Sequence, residues 1–256
     1  MFTQTKQKVN KGKKQMKKII LSTVVTAALV VAAQAADKDA NALVTHTELG
    51  YIQTDGNTKT KTFNLDANAK KAWNKHQLSL KLEGQYGSAE DIETKKKYLF
   101  EANYDYAFTD TFAFNYLAGY KSDIFAGFDY QMYTGPGAKY QAVKTKSHDL
   151  SLTGNILYSS DKYRVDNHID NYTGYKAGGI YLWNIQNNLK FTQELGYRGS
   201  FEDSDIYFVN SKTALTTKIS DIFSAGISYK IDYVNQPTPG LKNQDTTLTM
   251  NLIMDY

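Results

Sequence analysis

Leu248-Thr-Met-Asn-Leu-Ile-Met-Asp-Tyr256 closes the chain, and its side chains alternate in character. Leu248, Met250, Leu252, Met254 and Tyr256 share one parity, with Thr249, Asn251 and Asp255 among the residues between them. A two-residue period places those five side chains on one face of a β-strand. Such a strand suits the half-buried edge of a sandwich, or a wall with lipid on one side and water on the other. An aromatic residue at the very end is rare in the first setting and favours the second.

The same alternation recurs upstream. Leu78, Leu80, Leu82 and Tyr86 share a parity, as do Tyr98, Phe100, Ala102, Tyr104, Tyr106 and Phe108. Phe112, Phe114, Tyr116, Ala118 and Tyr120 follow, then Leu150, Leu152, Ile156 and Tyr158. Leu189, Phe191, Leu195 and Tyr197 repeat it, and so do Phe223, Ala225, Ile227, Tyr229, Ile231 and Tyr233. No 3.6-residue stripe competes over comparable lengths, so the chain reads as all-β. Strands are expected at 43–54, 58–71, 77–87, 96–108, 112–122, 130–142, 148–159, 172–183, 188–199, 206–219, 222–234 and 245–256. Each has the roughly 9–11 residues that a tilted strand needs to cross a bilayer, plus a margin.

The connections keep a rhythm. Those after the second, fourth, sixth, eighth and tenth strands are short and polar: Ala72–His76, Thr109–Thr111, Val143–Ser147, Asn184–Asn187 and Ser220–Asp221. The opposite set includes Ser88–Lys95, Ser160–Asn171, Ser200–Asp205 and Asn235–Gln244, with only Asp55-Gly-Asn57 short. Short turns at one end and longer loops at the other predict a closed antiparallel barrel of about twelve strands in a membrane. Tyr51, Tyr86, Tyr104, Tyr120, Tyr158, Tyr197 and Tyr229 join Tyr256 on the apolar parity, where amphipathic rings suit two interfacial girdles.

Composition agrees with that architecture. Hydrophobic residues are 41% of the chain and aromatics 13%, with 20 Tyr, 3 Pro and no Cys. Without cysteine there is neither a disulfide framework nor a thiolate site. The N-terminus reads as an export signal covering 1–35, with a possible upstream extension 1–15 if Met16 is the start. Lys11, Lys13, Lys14, Lys17 and Lys18 form a positive region, Ile19 to Ala33 is apolar, and Ala33-Gln-Ala35 is a cleavage signal. Removing the lysines between Lys6 and Lys18 takes the formal charge from +4 to about −3, so the basic balance gives no reason to invoke nucleic acid. Residues 36–256 then form one barrel domain.

The parity opposite the apolar one should line the lumen. It carries Glu48, Lys81, Glu83, Glu101, Asp105, Lys121, Lys139, Lys190, Glu194, Arg198, Lys230 and Asp232, together with Asp149, Lys176 and Lys212. Facing lipid at mid-depth, each Lys or Arg would cost about 2–4 kcal/mol, a cost removed by pointing inward. The mixed signs imply no strong selectivity. Twelve strands enclose a narrower bore than the 16–18 of open porins, so a filled or very narrow lumen is expected.

Catalytic and metal signals are sparse. His46, His76, His148 and His168 lack metal-ligand spacing, no cofactor motif is present, and no G-x-S-x-G elbow occurs. Asp166-Asn-His168-Ile-Asp170 is the one tight cluster of potential ligands, for a divalent ion or lipopolysaccharide phosphates, although such a run is more often a solvated loop. His148 has the parity of Leu150 and Leu152, which a lipid-side hydrolase would need, but it falls at the periplasmic end of its strand and is a weak signal. Gly135-Pro-Gly137 reads as a bulge or kink in the wall.

Three segments carry a family resemblance. Glu48-Leu-Gly-Tyr-Ile-Gln-Thr-Asp-Gly-Asn-Thr-Lys-Thr60 resembles the opening motif of a bacterial family of unknown function whose members are labelled salt-induced outer-membrane proteins. Phe125-Ala-Gly-Phe-Asp-Tyr130 with Gly135-Pro-Gly-Ala-Lys-Tyr140 is similar to its central hairpin, and Asp245-Thr-Thr-Leu-Thr249 to its closing strand. Ile124 stands where that family commonly has a basic residue, so no role for that charge is carried over. The resemblance implies an outer-membrane barrel and little else, and an even strand number with short turns on the side of the termini predicts both termini periplasmic in a Gram-negative bacterium. Its last strand, Leu248 to Tyr256, would be read by the barrel-insertion machinery. The expected role is a narrow passive pore or an envelope protein linked to salt or osmotic stress. The expected partners are outer-membrane lipid, lipopolysaccharide and small ions or solutes. An outer-membrane lipid or peptide hydrolase, and a surface-binding barrel using the 160–171 loop, are the alternatives.

Overall fold

The computed structural model describes residues 43–54 and 59–255. The export signal, the Asp55-Gly-Asn57 turn and Tyr256 lie outside the described residues. Twelve strands form: β1 (Leu43–Thr54), β2 (Thr60–Trp73), β3 (His76–Ala89), β4 (Ile92–Ala107), β5 (Phe112–Asp123) and β6 (Phe128–Lys144). They continue as β7 (His148–Tyr163), β8 (Ile169–Gln186), β9 (Leu189–Ser200), β10 (Tyr207–Lys218), β11 (Phe223–Val234) and β12 (Gln244–Asp255). Each pairs antiparallel with its sequence neighbours, and β1 pairs with β12 to close the barrel. Closure leaves no open sheet edge, the condition for a β-structure to stand in hydrocarbon.

Burial follows parity. Leu248, Met250 and Leu252 of β12 are exposed on the outside, while Thr249, Asn251 and Ile253 between them are buried inside. Leu78, Leu80 and Leu82 of β3, Tyr98 and Phe100 of β4, and Ile156 and Tyr158 of β7 are exposed on the same outer surface. In water such a belt would be a severe liability, whereas against lipid tails it costs nothing.

The closing seam differs from the others. β1 and β12 register only from His46↔Asp255 to Leu49↔Leu252, whereas β1 and β2 pair over the whole length of β1. His46 Nδ1 lies 2.5 Å from Asp255 Oδ1 across this seam.

Two expectations need correction. Two of the four long connections at the loop end are shorter than the sequence suggests, because the strands run further, whereas those after β9 and β11 stand as expected. β3 and β4 pair to Ala89↔Ile92 through a two-residue turn at Glu90 (φ 47°) and Asp91 (φ 62°), so Ser88–Lys95 is mostly strand. These are the left-handed angles of a type I′ hairpin, whose twist matches the flanking strands. Likewise β7 and β8 extend to Tyr163 and Ile169, leaving only 164–168 as loop. Polar residues on both parities hide the alternation there, because these strand ends carry no lipid-facing apolar run and their inner face is polar too, as at buried Asp161.

Gly135-Pro-Gly137 is no bulge either. β5 and β6 stay in register through Leu117↔Gly135, Tyr116↔Pro136 and Asn115↔Gly137, and the register shifts of β6 fall elsewhere. The glycines instead allow close strand approach. A Cβ on Gly135 would stand 1.9 Å from the Ile156 carbonyl oxygen, and one on Gly137 2.1 Å from that of Gly154.

Candidate functional site

The barrel interior holds nearly all the chemistry. Alternation sends the polar residues of every strand inward, where side chains from opposite walls meet. Lys81 of β3 donates to Glu83 at 3.0 Å and to Glu194 of β9 at 3.2 Å. β3 and β9 stand six strands apart in the ring of twelve, so this contact crosses the full bore. Lys212 of β10 sits between Glu48 (2.6 Å) and Asp66 (2.9 Å). Lys230 of β11 joins Asp66 (3.1 Å) to Glu83 (3.3 Å). Asn251 Nδ2 donates to the other oxygen of Glu48 at 2.6 Å. The result is a belt of alternating charge across the middle of the barrel.

A second layer lies toward the loop end. Lys97 of β4 donates to Asp232 of β11 at 2.6 Å. Arg198 meets Asp161 through both terminal nitrogens, at 3.1 and 3.3 Å, and Asp161 also accepts from Tyr172 (2.9 Å) and Gln131 (3.2 Å). The guanidinium carbon of Arg198 lies 4.3 Å from the Phe208 ring centre and 5.0 Å from that of Tyr133. Tyr133 donates to Glu101 at 2.5 Å, and Lys176 donates to the same oxygen. Between these groups is a cavity of about 100 Å³. On the wall beside it Leu117, Tyr133 and Leu157 form a small apolar cluster.

At the turn end Asp105 accepts from Lys139 (2.8 Å), Gln77 (3.1 Å) and Asn115 (2.6 Å), and Asn155 donates to Asn115 at 2.7 Å.

The mouth at the loop end is covered. The segment between β11 and β12 carries Thr238 across to Gly127 in the turn between β5 and β6, half the ring away. Gly127 (φ 92°) presents no side chain, and a Cβ there would stand 2.0 Å from Thr238 Oγ1. Beneath this lid, buried Phe128 packs on Phe208 of the far wall with ring centres 5.8 Å apart.

Most of the charges expected inside therefore meet one another there. Glu48, Lys81, Glu83, Glu194 and Lys230 join in the central belt, and Glu101, Arg198 and Asp232 in the layer above, with Lys121 beside them. Asp105 and Lys139 form a separate pair at the turn end, with Asp149 joined to Lys144 and Gln141 nearby. Lys190 has no ion pair within 4 Å among the described residues. Asp66, Lys97, Asp161 and Tyr133 were not anticipated. Asp66 and Lys97 were legible from the parity of Leu65-Asp66-Ala67 and Lys97-Tyr98, whereas Asp161 lay beyond the expected end of its strand.

The remaining candidates resolve simply. His168 Nε2 lies 2.6 Å from Asp170 Oδ1, and the His168 amide donates to Asp166 at 3.0 Å, a self-contained loop cluster. His148 bonds the Tyr181 hydroxyl at 2.8 Å and stacks on Tyr181 and Trp183, a place in the aromatic girdle at the turn end.

Comparison with known proteins agrees with this architecture. The NanC porin superposes with a TM-score of 0.50 at 10% identity, covering 83% of this chain and 98% of that one. An outer-membrane channel from Pseudomonas putida F1 gives 0.53 at 9% identity, covering 87% and 98%. These likenesses establish the fold as that of an outer-membrane β-barrel. In sequence, the uncharacterized protein YdiY of Escherichia coli (strain K12) is 27% identical over 213 residues, 80% of this chain and 81% of that protein. Residues 47–256 match the family described as "Protein of unknown function, DUF481", and the chain belongs to that family.

Proposed function

We propose that the protein is a narrow passive pore of the bacterial outer membrane, with both termini periplasmic, whose resting state is closed. The observation that carries this reading is the pair of obstructions in series: the Thr238 lid on Gly127 and the cross-bore belt through Lys81–Glu194. Neither is covalent, and the lid hangs on one loop, so small ions pass when the lid lifts and side chains of the belt swing aside. A structural barrel needs no such lid over an interior of this polarity.

The belt also gives a physical route to a role in ionic or osmotic stress. Lys81 and Glu194 keep 23% and 24% of their side-chain surface exposed, so salt reaches and screens their attraction. Conductance should then rise faster than the bulk conductivity of the solution.

The test is planar-bilayer recording of refolded, signal-free protein across a salt series, beside a variant in which residues 236–242 are replaced by two glycines. Discrete steps that grow in the lid-less variant support the pore. Silence in both proteins, with heat-modifiable folding intact on a gel, overturns it in favour of a filled structural barrel.

A further inference from the structure

The cavity above the belt is lined by Lys81, Lys97, Lys121, Lys176 and Arg198, against Glu83, Glu101 and Asp232. The carboxylates are already engaged. Glu83 is held by Lys81 and Lys230, Glu101 by Lys176 and Tyr133, and Asp232 Oδ2 by Lys97 at 2.6 Å. Beside the cavity Asp161 takes the guanidinium fork of Arg198, and Glu194 takes Lys81.

Lys121 is left over. Its ammonium has one carboxylate within 4 Å among the described residues, Asp232 Oδ1 at 3.9 Å, which is too far for a hydrogen bond. Asp123, two residues along the same strand, accepts instead from the Ala126 amide at 3.2 Å. An ammonium carries three donors, and leaving them unused in a confined space is costly.

Three neighbours complete the chemistry. Gln131, Asn210 and Arg198 also line the cavity, with the Phe208 ring centre 4.3 Å from the Arg198 guanidinium carbon. A space of about 100 Å³ holds a tetrahedral or planar oxyanion with a water or two.

We propose that this cavity is a binding site for one small oxyanion of the phosphate, sulfate or carboxylate class, with Lys121 as its principal donor. The anion completes the hydrogen bonds of Lys121, whose ammonium has no carboxylate within hydrogen-bond distance among the described residues. The site goes beyond the pore reading, since an occluded barrel would hold the anion as well as an open one.

The experiment is titration of refolded protein in detergent with inorganic phosphate, followed by ³¹P line broadening and calorimetry, with sulfate and acetate as competitors. Wild type should bind phosphate saturably at one site. Lys121→Gln should weaken it by about ten- to a hundredfold, the worth of a charge-assisted hydrogen bond. Lys139→Gln, an interior lysine committed to Asp105 at the turn end, should bind within about twofold of wild type, a site this distant being independent. Heat-modifiable migration shows that each variant is folded. Absence of saturable binding in wild type, or equal binding by Lys121→Gln, overturns the proposal. Neither result depends on conductance, so failure here and failure of the pore reading are told apart.

Discussion

Thr238 rests on Gly127 so closely that the glycine's missing Cβ is what makes room: an added methyl would stand 2.0 Å from Thr238 Oγ1 and 2.7 Å from its Cβ. Two loops from opposite walls therefore meet over the mouth through the smallest side chain available.

That contact gives the first prediction. Gly127→Ala should lift the lid and raise conductance in bilayer recordings, while the barrel still shows heat-modifiable migration. The left-handed φ of 92° adds about 1–2 kcal/mol of local strain to the turn. Adding Thr238→Gly, which removes the clashing atoms, should return conductance toward the wild-type level. If the double variant conducts like Gly127→Ala alone, the effect comes from turn strain and not from the lid.

Arg198 and Asp161 give the second. The Asp161 side chain is fully buried, so Arg198→Ala leaves a carboxylate without its counter-charge and should destabilise the barrel by about 3–5 kcal/mol. Arg198→Lys keeps the charge but loses the fork and should fall between the two. Denaturant unfolding in lipid vesicles measures both, and equal stabilities of wild type and Arg198→Ala would contradict the pairing.

Two isoleucines test which face meets lipid. Ile156 of β7 is 60% exposed on the outer parity, and Ile180 of β8 is 45% exposed on the inner parity of Lys176. Exposure alone does not separate them, but their surroundings should. Ile156→Arg should cost about 2–4 kcal/mol of folding free energy in vesicles, and Ile180→Arg under about 1 kcal/mol. Similar costs at the two positions would mean that the barrel stands in a uniform solvent.

Close strand approach is the fourth. Gly135→Ala forces a Cβ to 1.9 Å from a backbone carbonyl on β7, and overpacking of this kind should cost about 1–3 kcal/mol or block folding. Gly154→Ala meets nothing within 4 Å and should stay within about 0.5 kcal/mol of wild type. Refolding yields read on a gel at fixed denaturant rank the two.

Much of this molecule is local information. Alternation over Leu248 to Met254, Leu78 to Leu82 and Tyr98 to Phe108 gives strand identity and the outward face, because a pleated strand turns each side chain opposite to the last. Twelve strands and the short polar turns follow from counting such segments, and the inward parity of Lys81, Glu83, Glu101 and Asp232 follows with them. Boundaries at the loop end are hidden where polar residues stand on both parities, as in Ser160–Tyr163 and Ile169–Asn171, since buried Asp161 breaks no apolar run that a period could show.

Tertiary structure alone decides the pairings. Lys81 reaches Glu194 across 113 residues and Lys97 reaches Asp232 across 135, distances in sequence that no period encodes. Such contacts depend on barrel closure, which brings β3 opposite β9 and sets the height of each charge along the bore. Closure also turns the Asn235–Asn243 segment into a lid, by placing Gly127 half a ring away. The sequence determines that charges face inward because lipid rejects them; the closed ring determines which of them meet, and that Lys121 stands 3.9 Å from Asp232, beyond hydrogen-bond reach.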